Sequence, residues 1–143
     1  MSALGLKLFD TAVQDANLWV NEVDDRLDRD DKQRSYRALR AVLHAVRDHL
    51  TVNEATDLGA QLPTMIRGIY YEGWNSAKNP VRMRRAEEFV AAVQAAYGTE
   101  RLPAPDRAIR AVFDVLDRHI AAGEMDDVRE AFTREVRALF GEE

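Results

Sequence analysis

The sequence contains no cysteine, and it has only seven glycines and four prolines in 143 residues. Without cysteine there can be no thiolate zinc site, iron–sulfur cluster or cysteine nucleophile. The absence also fits a reducing compartment, and residues 1–9 lack the apolar core of a signal peptide, so we predict a cytoplasmic protein. No glycine-rich phosphate loop or serine elbow is present, and we predict no cofactor.

Long apolar runs are also missing, because no segment approaches the ~18 consecutive apolar residues of a membrane span. Apolar residues nevertheless make up 46% of the chain and charged residues 31%, which is typical of a globular protein. The net charge is −5. General nucleic-acid binding usually needs a basic face, so we consider nucleic-acid binding only a weaker alternative. Because no apolar run is long enough to span a bilayer, we also expect no membrane association.

The sequence repeats itself at a shift of 70 residues. Ala16–Tyr70 aligns without gaps on Ala86–Phe140 with twelve identities, and apolar positions stay apolar, as in Trp19/Phe89 and Leu43/Phe113. We therefore predict an all-α fold of about eight helices, built as two tandem four-helix units related by a pseudo-twofold axis. Residues 1–143 would form a single compact domain, with repeat 1 at 10–74 and repeat 2 at 81–140.

Apolar spacing and end signals place the helices. In repeat 1 we predict a helix over 10–27 whose core-facing apolar stripe is Val13, Ala16, Val20, Val23 and Leu27. Asp30 or Asp31 caps a second helix that ends near 50, and a third and a fourth helix follow. Thr51 and Glu54 form a capping box for the third, and Pro63 fits the first position of the fourth. In repeat 2 we predict a helix ending at Gly98, a long one capped by Asp106 and reaching 120, and two short ones ending near 140.

The two copies differ most where the first one ends. Tyr70, Tyr71 and Trp74 have no full counterpart in the second copy, and a basic stretch follows them. Its members are Lys78, Arg82, Arg84 and Arg85. This stretch either binds a partner or anion, or is a solvated helix face paired to glutamates 87 and 88. The rings likewise either form a binding surface or seal the joint between the copies.

A second set of polar residues occurs in both copies. His49, Glu54 and Asp57 recur as His119, Glu124 and Asp127. Histidine with carboxylates is suited to divalent-metal binding or to acid–base chemistry. The competing interpretation is structural: a histidine complements its helix end, a glutamate closes a capping box, and Asp57 pairs with Arg67. His44 has no counterpart, and we expect it on the surface.

Three strings of the sequence resemble a known family. They are residues 40–50 (RAVLHAVRDHL), residues 60–63 (AQLP) and residues 67–74 (RGIYYEGW). Together with the Gly123–Val128 pattern they are similar to the bacterial family of domains of unknown function numbered 2267, from about residue 9 to 140. The resemblance implies a small, bacterial, cytosolic, all-helical protein, and it implies no activity.

These observations favour a non-enzymatic binding or regulatory module. It would contact a protein partner, or a second copy of itself, through the Tyr70–Arg85 segment, with Tyr71, Trp74, Lys78, Arg82, Arg84 and Arg85 as contact residues. The alternative is a metal-dependent or acid–base enzyme that uses the His/Glu/Asp set. A weaker alternative is binding of an anion or nucleic acid by Arg82–Arg85.

Overall fold

The computed structural model describes residues 4–28 and 31–141. Within these ranges it contains eight α-helices, two 3₁₀ turns and no strand, which confirms the predicted all-α class and helix number. The helices are α1 (Lys7–Arg26), α2 (Lys32–His49), α3 (Val52–Ala60), α4 (Thr64–Tyr71), α5 (Ala86–Tyr97), α6 (Pro105–His119), α7 (Ala122–Glu130) and α8 (Arg134–Arg137). The 3₁₀ turns are Ser76–Lys78 and Ala138–Phe140.

Local end signals set the starts of α2 and α3. The Asp31 carboxylate accepts from the backbone N–H of Gln33 at 2.8 Å, so Asp31 is the cap of α2. Thr51 and Glu54 form both bonds of a capping box at α3, at 3.2 and 2.9 Å. Both predictions are confirmed.

Three details differ from the predicted ends. Asp106 is not a cap: α6 begins at Pro105 after Ala104, and Asp106 lies in the first turn, where its charge complements the helix dipole. Pro63 precedes α4 as its N-cap and is not its first helical residue. In α1, Val13 was expected in the core, but its side chain is 43% exposed because the buried face of this helix begins at Ala16.

Buried apolar side chains distributed from Ala16 to Phe140 form one hydrophobic core. The central helix is α2, which packs against α1, α4, α5 and α6. Under the predicted repeat, α1 and α2 correspond to α5 and α6, so the observed α1–α6 and α2–α5 contacts are equivalent pairs. The first helix of each predicted copy therefore packs against the second helix of the other copy.

Four phenylalanines fill the centre of the second copy. Phe113 stacks on Phe140 at 3.7 Å between ring centroids, and Phe89 and Phe132 meet these rings edge-on. All four are at most 3% exposed. Among the described residues, none of the helices has the length and apolar character needed to cross a membrane.

Candidate functional site

Tyr70, the first residue of the predicted partner segment, is a core residue. Its side chain is fully buried, and its hydroxyl donates to the Ala55 carbonyl at 2.7 Å. Burial raises the pKa of the Tyr70 phenol well above its ordinary value. We predicted that the partner-binding segment begins at Tyr70. This starting point is wrong, because the ring is enclosed between helices and no binding partner can contact it.

The side chains of Tyr71 and Trp74 are partly buried, and they pack against neighbouring residues of the protein. The Tyr71 ring lies over Gly59 so closely that a Cβ atom at Gly59 would lie 2.7 Å from Tyr71 Cζ. The Trp74 indole stacks on Tyr71 at 5.5 Å and donates its N–H to Asn79 Oδ1 at 2.8 Å. These rings therefore fix the end of α4 against α3, which leaves only part of each available to a partner.

The loop after α4 is tied to the C-terminal end of α2. Asn79 Nδ2 donates to the carbonyls of Arg47 and Leu50 at 2.7 and 2.8 Å, which satisfies backbone acceptors left open at the helix end. The buried Arg47 guanidinium in turn donates to the Tyr70 and Glu72 carbonyls, each at 2.8 Å. Because both ends of the loop are held, the segment that follows has a fixed starting point.

The following residues, 81–85, form a strip that hydrogen bonds fix to α2 and to the segment before α8. The Val81 N–H donates to the Asp48 carbonyl at 2.7 Å, and the buried Met83 donates its N–H to His49 Nδ1 at 3.0 Å. Thr133 Oγ1 donates to the Arg84 carbonyl at 2.7 Å. We call residues 78–85 the basic strip. Its backbone is held along its length while the side chains of Lys78, Arg82, Arg84 and Arg85 are exposed.

The basic side chains are not on a helix face, as one interpretation held, because α5 begins only at Ala86. Of the two predicted glutamate partners, Glu87 lies 3.8 Å from Arg85, and both side chains are 71% exposed. Glu88 instead accepts from the backbone N–H groups of Arg84 and Arg85, at 3.1 and 2.9 Å. An exposed pair of this kind contributes little free energy, so it competes weakly with an external partner.

His49 forms a structural bridge within the fold. Its Nδ1 accepts from Met83, so the proton lies on Nε2, which donates to the Ala131 carbonyl at 2.6 Å. The ring also stacks on Phe132 at 3.8 Å. Burial lowers the pKa of His49, although the bond to Ala131 opposes this. Both ring nitrogens are therefore in use between the two predicted copies.

His119 has a different environment. Its Nε2 donates to a Glu22 oxygen, and its ring stacks on Trp19 at 5.0 Å. Arg118 also reaches Glu22, at 2.9 Å. Glu22 has no acidic counterpart in the second copy, where alanine 92 aligns with it. The two histidines hold equivalent positions in the predicted repeat, but they bind different partners, because the residues across from them differ.

The carboxylates of the His/Glu/Asp set do converge, but without the histidines. Glu54 and Asp57 from α3 and Glu124 and Asp127 from α7 line one cavity of about 360 Å³. Burial raises the pKa of Glu124, and the negative charges of Asp57, Asp127 and Glu54 raise it further. Neither copy's motif shows this meeting by itself, because the residues that meet lie about 70 positions apart.

This acidic cavity does not support the enzyme alternative. Among the described residues, no group of three or more histidine, aspartate or glutamate side chains is arranged to hold a metal ion. The predicted combination of histidine and carboxylates is not formed, because both nitrogens of His49 bind elsewhere. Glu54 also bonds the Thr51 N–H at 2.9 Å as part of its capping box.

Two further predictions are wrong for tertiary reasons. Arg67 does not pair with Asp57: its guanidinium donates to the Gly59 and Leu62 carbonyls, each at 2.9 Å, and so caps the end of α3. His44 is 7% exposed, not a surface residue, and its Nε2 donates to the Ile69 carbonyl at 2.8 Å. Burial lowers the pKa of His44. Because α2 is surrounded by other helices, even its more polar face is covered.

A family model matches residues 16–139, which is most of the chain. The model describes an uncharacterized conserved protein, DUF2267. The chain belongs to the DUF2267 family. The match covers both predicted copies, from the first buried residue of α1 to the end of the last helical turn. No curated protein matches the sequence. Membership in DUF2267 therefore carries no activity to these residues.

Proposed function

We propose that this DUF2267 protein is a non-enzymatic binding or regulatory module, and that its basic strip binds an acidic surface on a protein partner. One observation carries the proposal. The strip holds four exposed basic side chains on a backbone fixed by hydrogen bonds to α2 and to the segment before α8.

The fixed backbone favours binding because little order must be gained on association. A flexible segment loses conformational freedom when a partner immobilises it, and that loss reduces affinity. Here Met83 is buried between the exposed Arg82 and Arg84, so the two arginines lie on the outward side of the strip. Arginine is enriched at interface hot spots because its planar guanidinium binds carboxylates with two hydrogen bonds.

Charge complementarity defines the partner. The strip is positive in a protein of net charge −5, so it attracts an acidic surface while the remaining surface disfavours close approach of other acidic groups. Val81, with 46% of its surface exposed, adds an apolar contact point within the strip. Tyr71 and Trp74 border this surface as partly exposed rings and are not its centre.

The experiment places a photo-crosslinking amino acid at Val81 in the full chain, expressed in its native host. We expect a discrete crosslink to an acidic protein, and we expect the double substitution Arg82→Glu with Arg84→Glu to abolish it. The control pair Arg101→Glu and Arg110→Glu changes the charge equally, at exposed positions on the α5–α6 loop and on α6, and should leave the crosslink intact. Equal loss in the control, or persistence in the double variant, contradicts the proposal.

The same variants decide between the alternative partners. Crosslinking to a second copy of this chain, with a matching dimer in sedimentation, indicates self-association in place of a heterologous partner. Salt-dependent retention on heparin that the double variant loses indicates anion or nucleic-acid binding. Metal analysis of the purified protein tests the enzyme alternative. A cytoplasmic location and a bacterial source stay predictions from the sequence and the family.

A further inference from the structure

A surface groove lies beside the middle of α1. It encloses about 330 Å³ between α1, the turn that joins α3 to α4, and the last residue of α6. We call it the α1 groove. Four of its lining residues correspond to residues with a known role in repeat 2, and they are Leu18, Gln61, Pro63 and His119.

The corresponding place in repeat 2 is occupied by the basic strip. Under the predicted shift of 70 residues, the four groove residues align with Glu88, Ala131, Thr133 and His49, in that order. All four of these form hydrogen bonds with residues 82–85 of the strip. Repeat 2 therefore fills with its own chain the place that repeat 1 leaves open.

The walls of the two places are built alike. The helices α3 and α7 each have nine residues and lie 70 positions apart, and α2 and α6 both end at a histidine. In repeat 2, His49 bonds the Ala131 carbonyl and stacks on Phe132, in the turn after α7. In repeat 1, the Ala121 N–H after α6 donates to Gln61 Oε1 at 3.1 Å, in the turn after α3. The framework that holds the basic strip thus occurs twice in the fold.

The α1 groove is open because the chain before it takes a different path. Residues 7–15 continue α1, whereas the aligned residues 77–85 belong to the loop and the basic strip, and α5 begins only at residue 86. The Leu18 side chain is consequently 48% exposed. With Nε2 of His119 bonded to Glu22, Nδ1 of the neutral ring is an acceptor, and no described residue donates to it. In His49 this same nitrogen accepts the N–H of Met83.

The charges around the two places differ, and they define what the α1 groove can hold. Three acidic residues bind backbone groups of the strip and of the α5 start, and they are Asp48, Glu88 and Glu135. The aligned residues in repeat 1 are Arg118, Leu18 and Met65, all exposed. The groove lining itself contains one acidic and one basic side chain, Asp15 and Arg67, which balance. A basic segment would therefore meet Arg118 without gaining an acidic partner of this kind, whereas an uncharged segment loses nothing.

From these observations we propose that the α1 groove binds a short, non-helical segment of a partner protein, and that this segment is apolar and without basic side chains. The segment occupies the groove as the basic strip occupies its counterpart. Its backbone bonds to His119 and the turn at residues 61–63, and its apolar side chains pack on Leu18. The inference does not depend on the proposed partner surface, because no residue of the basic strip lines this groove.

Two synthetic peptides with blocked ends test the proposal by titration into the ¹⁵N-labelled full chain. One has the sequence of residues 79–85 with its three arginines replaced by alanine, and the other keeps the arginines. We expect the alanine peptide to give saturable amide shifts at residues 15–19, 60–67 and 118–121, with a dissociation constant on the order of 1 mM for so short a peptide. The arginine peptide should bind about threefold more weakly. The proposal is wrong if the alanine peptide gives no saturable shift, if its shifts lie elsewhere, or if the arginine peptide binds as tightly.

Leu18→Glu gives the groove the charge that Glu88 provides in repeat 2. Because the Leu18 side chain is exposed, the variant should fold, which unchanged shifts far from the groove would verify. We expect the order of affinities to reverse, so that the arginine peptide binds more tightly. Val52→Glu adds the same charge at a residue that is 40% exposed and outside the groove, and it should keep the wild-type order. An unchanged order in Leu18→Glu, or a reversed order in Val52→Glu, contradicts the proposal.

Sedimentation of the protein without peptide tests whether the occupant is a second copy of this chain. We expect Leu18→Glu to leave the sedimentation of the protein unchanged. A wild-type dimer that Leu18→Glu dissociates would show that the groove binds another copy, and it would overturn the assignment to a separate partner.

Discussion

His49 joins the two predicted copies, so replacing it should destabilise the whole fold. In His49→Ala the buried Met83 N–H loses its acceptor, and the Ala131 carbonyl keeps only the longer bond from Arg82, at 3.5 Å. The stack on Phe132 disappears and leaves a cavity in its place. A buried unpaired N–H costs about 1–3 kcal/mol, and the lost ring contacts add to it, so we expect a loss of about 3–5 kcal/mol.

The matched control is His119→Ala, at the equivalent position of the repeat. The His119 side chain is 24% exposed, and its partner Glu22 keeps a contact with Arg118 at 2.9 Å. We therefore expect a loss of about 0.5–1.5 kcal/mol. The contrast between the variants follows from their surroundings alone, since both remove the same side chain from the last residue of a helix.

The same bridge should make stability depend on pH. Burial holds the pKa of His49 below 6.5, so the folded state favours the neutral ring. His49 contributes its full stabilisation to the fold above pH 6.5. This stabilisation is lost as the pH falls below that value, because the unfolded chain takes up the proton first. The slope is at most about 1.4 kcal/mol per pH unit for one histidine. His44, whose pKa burial also lowers, adds in the same direction.

Urea denaturation followed by circular dichroism, at pH 7.5 and 5.5, measures both effects. Wild type should lose stability between these values, and His49→Ala should lose less, because only His44 then remains. Glu124 acts oppositely, since a raised pKa lets the folded state gain a proton first. The difference between wild type and variant is therefore the quantity to compare. The reasoning is refuted if His49→Ala is as stable as His119→Ala, or if both proteins show the same pH dependence.

Three further sets of substitutions test the packing by the same denaturation assay. Gly59→Ala should cost about 1–3 kcal/mol because its methyl group meets the Tyr71 ring, and adding Tyr71→Ala should recover part of the loss; additive losses would contradict the contact. Val42→Ala and Val112→Ala, both fully buried, should each cost about 1–3 kcal/mol, and a near-zero cost at either would disprove the register of the repeat. Asn79→Ala should cost about 1–3 kcal/mol by exposing carbonyls at the end of α2, with unchanged stability as the contrary result.

The features predicted correctly from the sequence are local ones. Asp31 and the Thr51–Glu54 pair act within three residues of the helix starts they cap, and Gly98 ends α5 through its own backbone at φ 129°. Helical periodicity gave the number of helices for the same reason, since side chains three and four apart share a face. The prediction failed for Val13, because periodicity gives a helix its apolar stripe but not the point where neighbours stop covering it.

Residues distant in sequence produced the parts of the site that no local pattern predicts. His44 is buried because other helices surround α2, and His49 finds its partners 34 and 82 positions away. Four carboxylates meet because α3 contacts α7. The sequence by itself determined the helices and their caps, and its lack of cysteine excluded the chemistry that needs a thiol. Only the tertiary structure decided which polar groups are buried, since burial and charge proximity depend on what packs across from each residue.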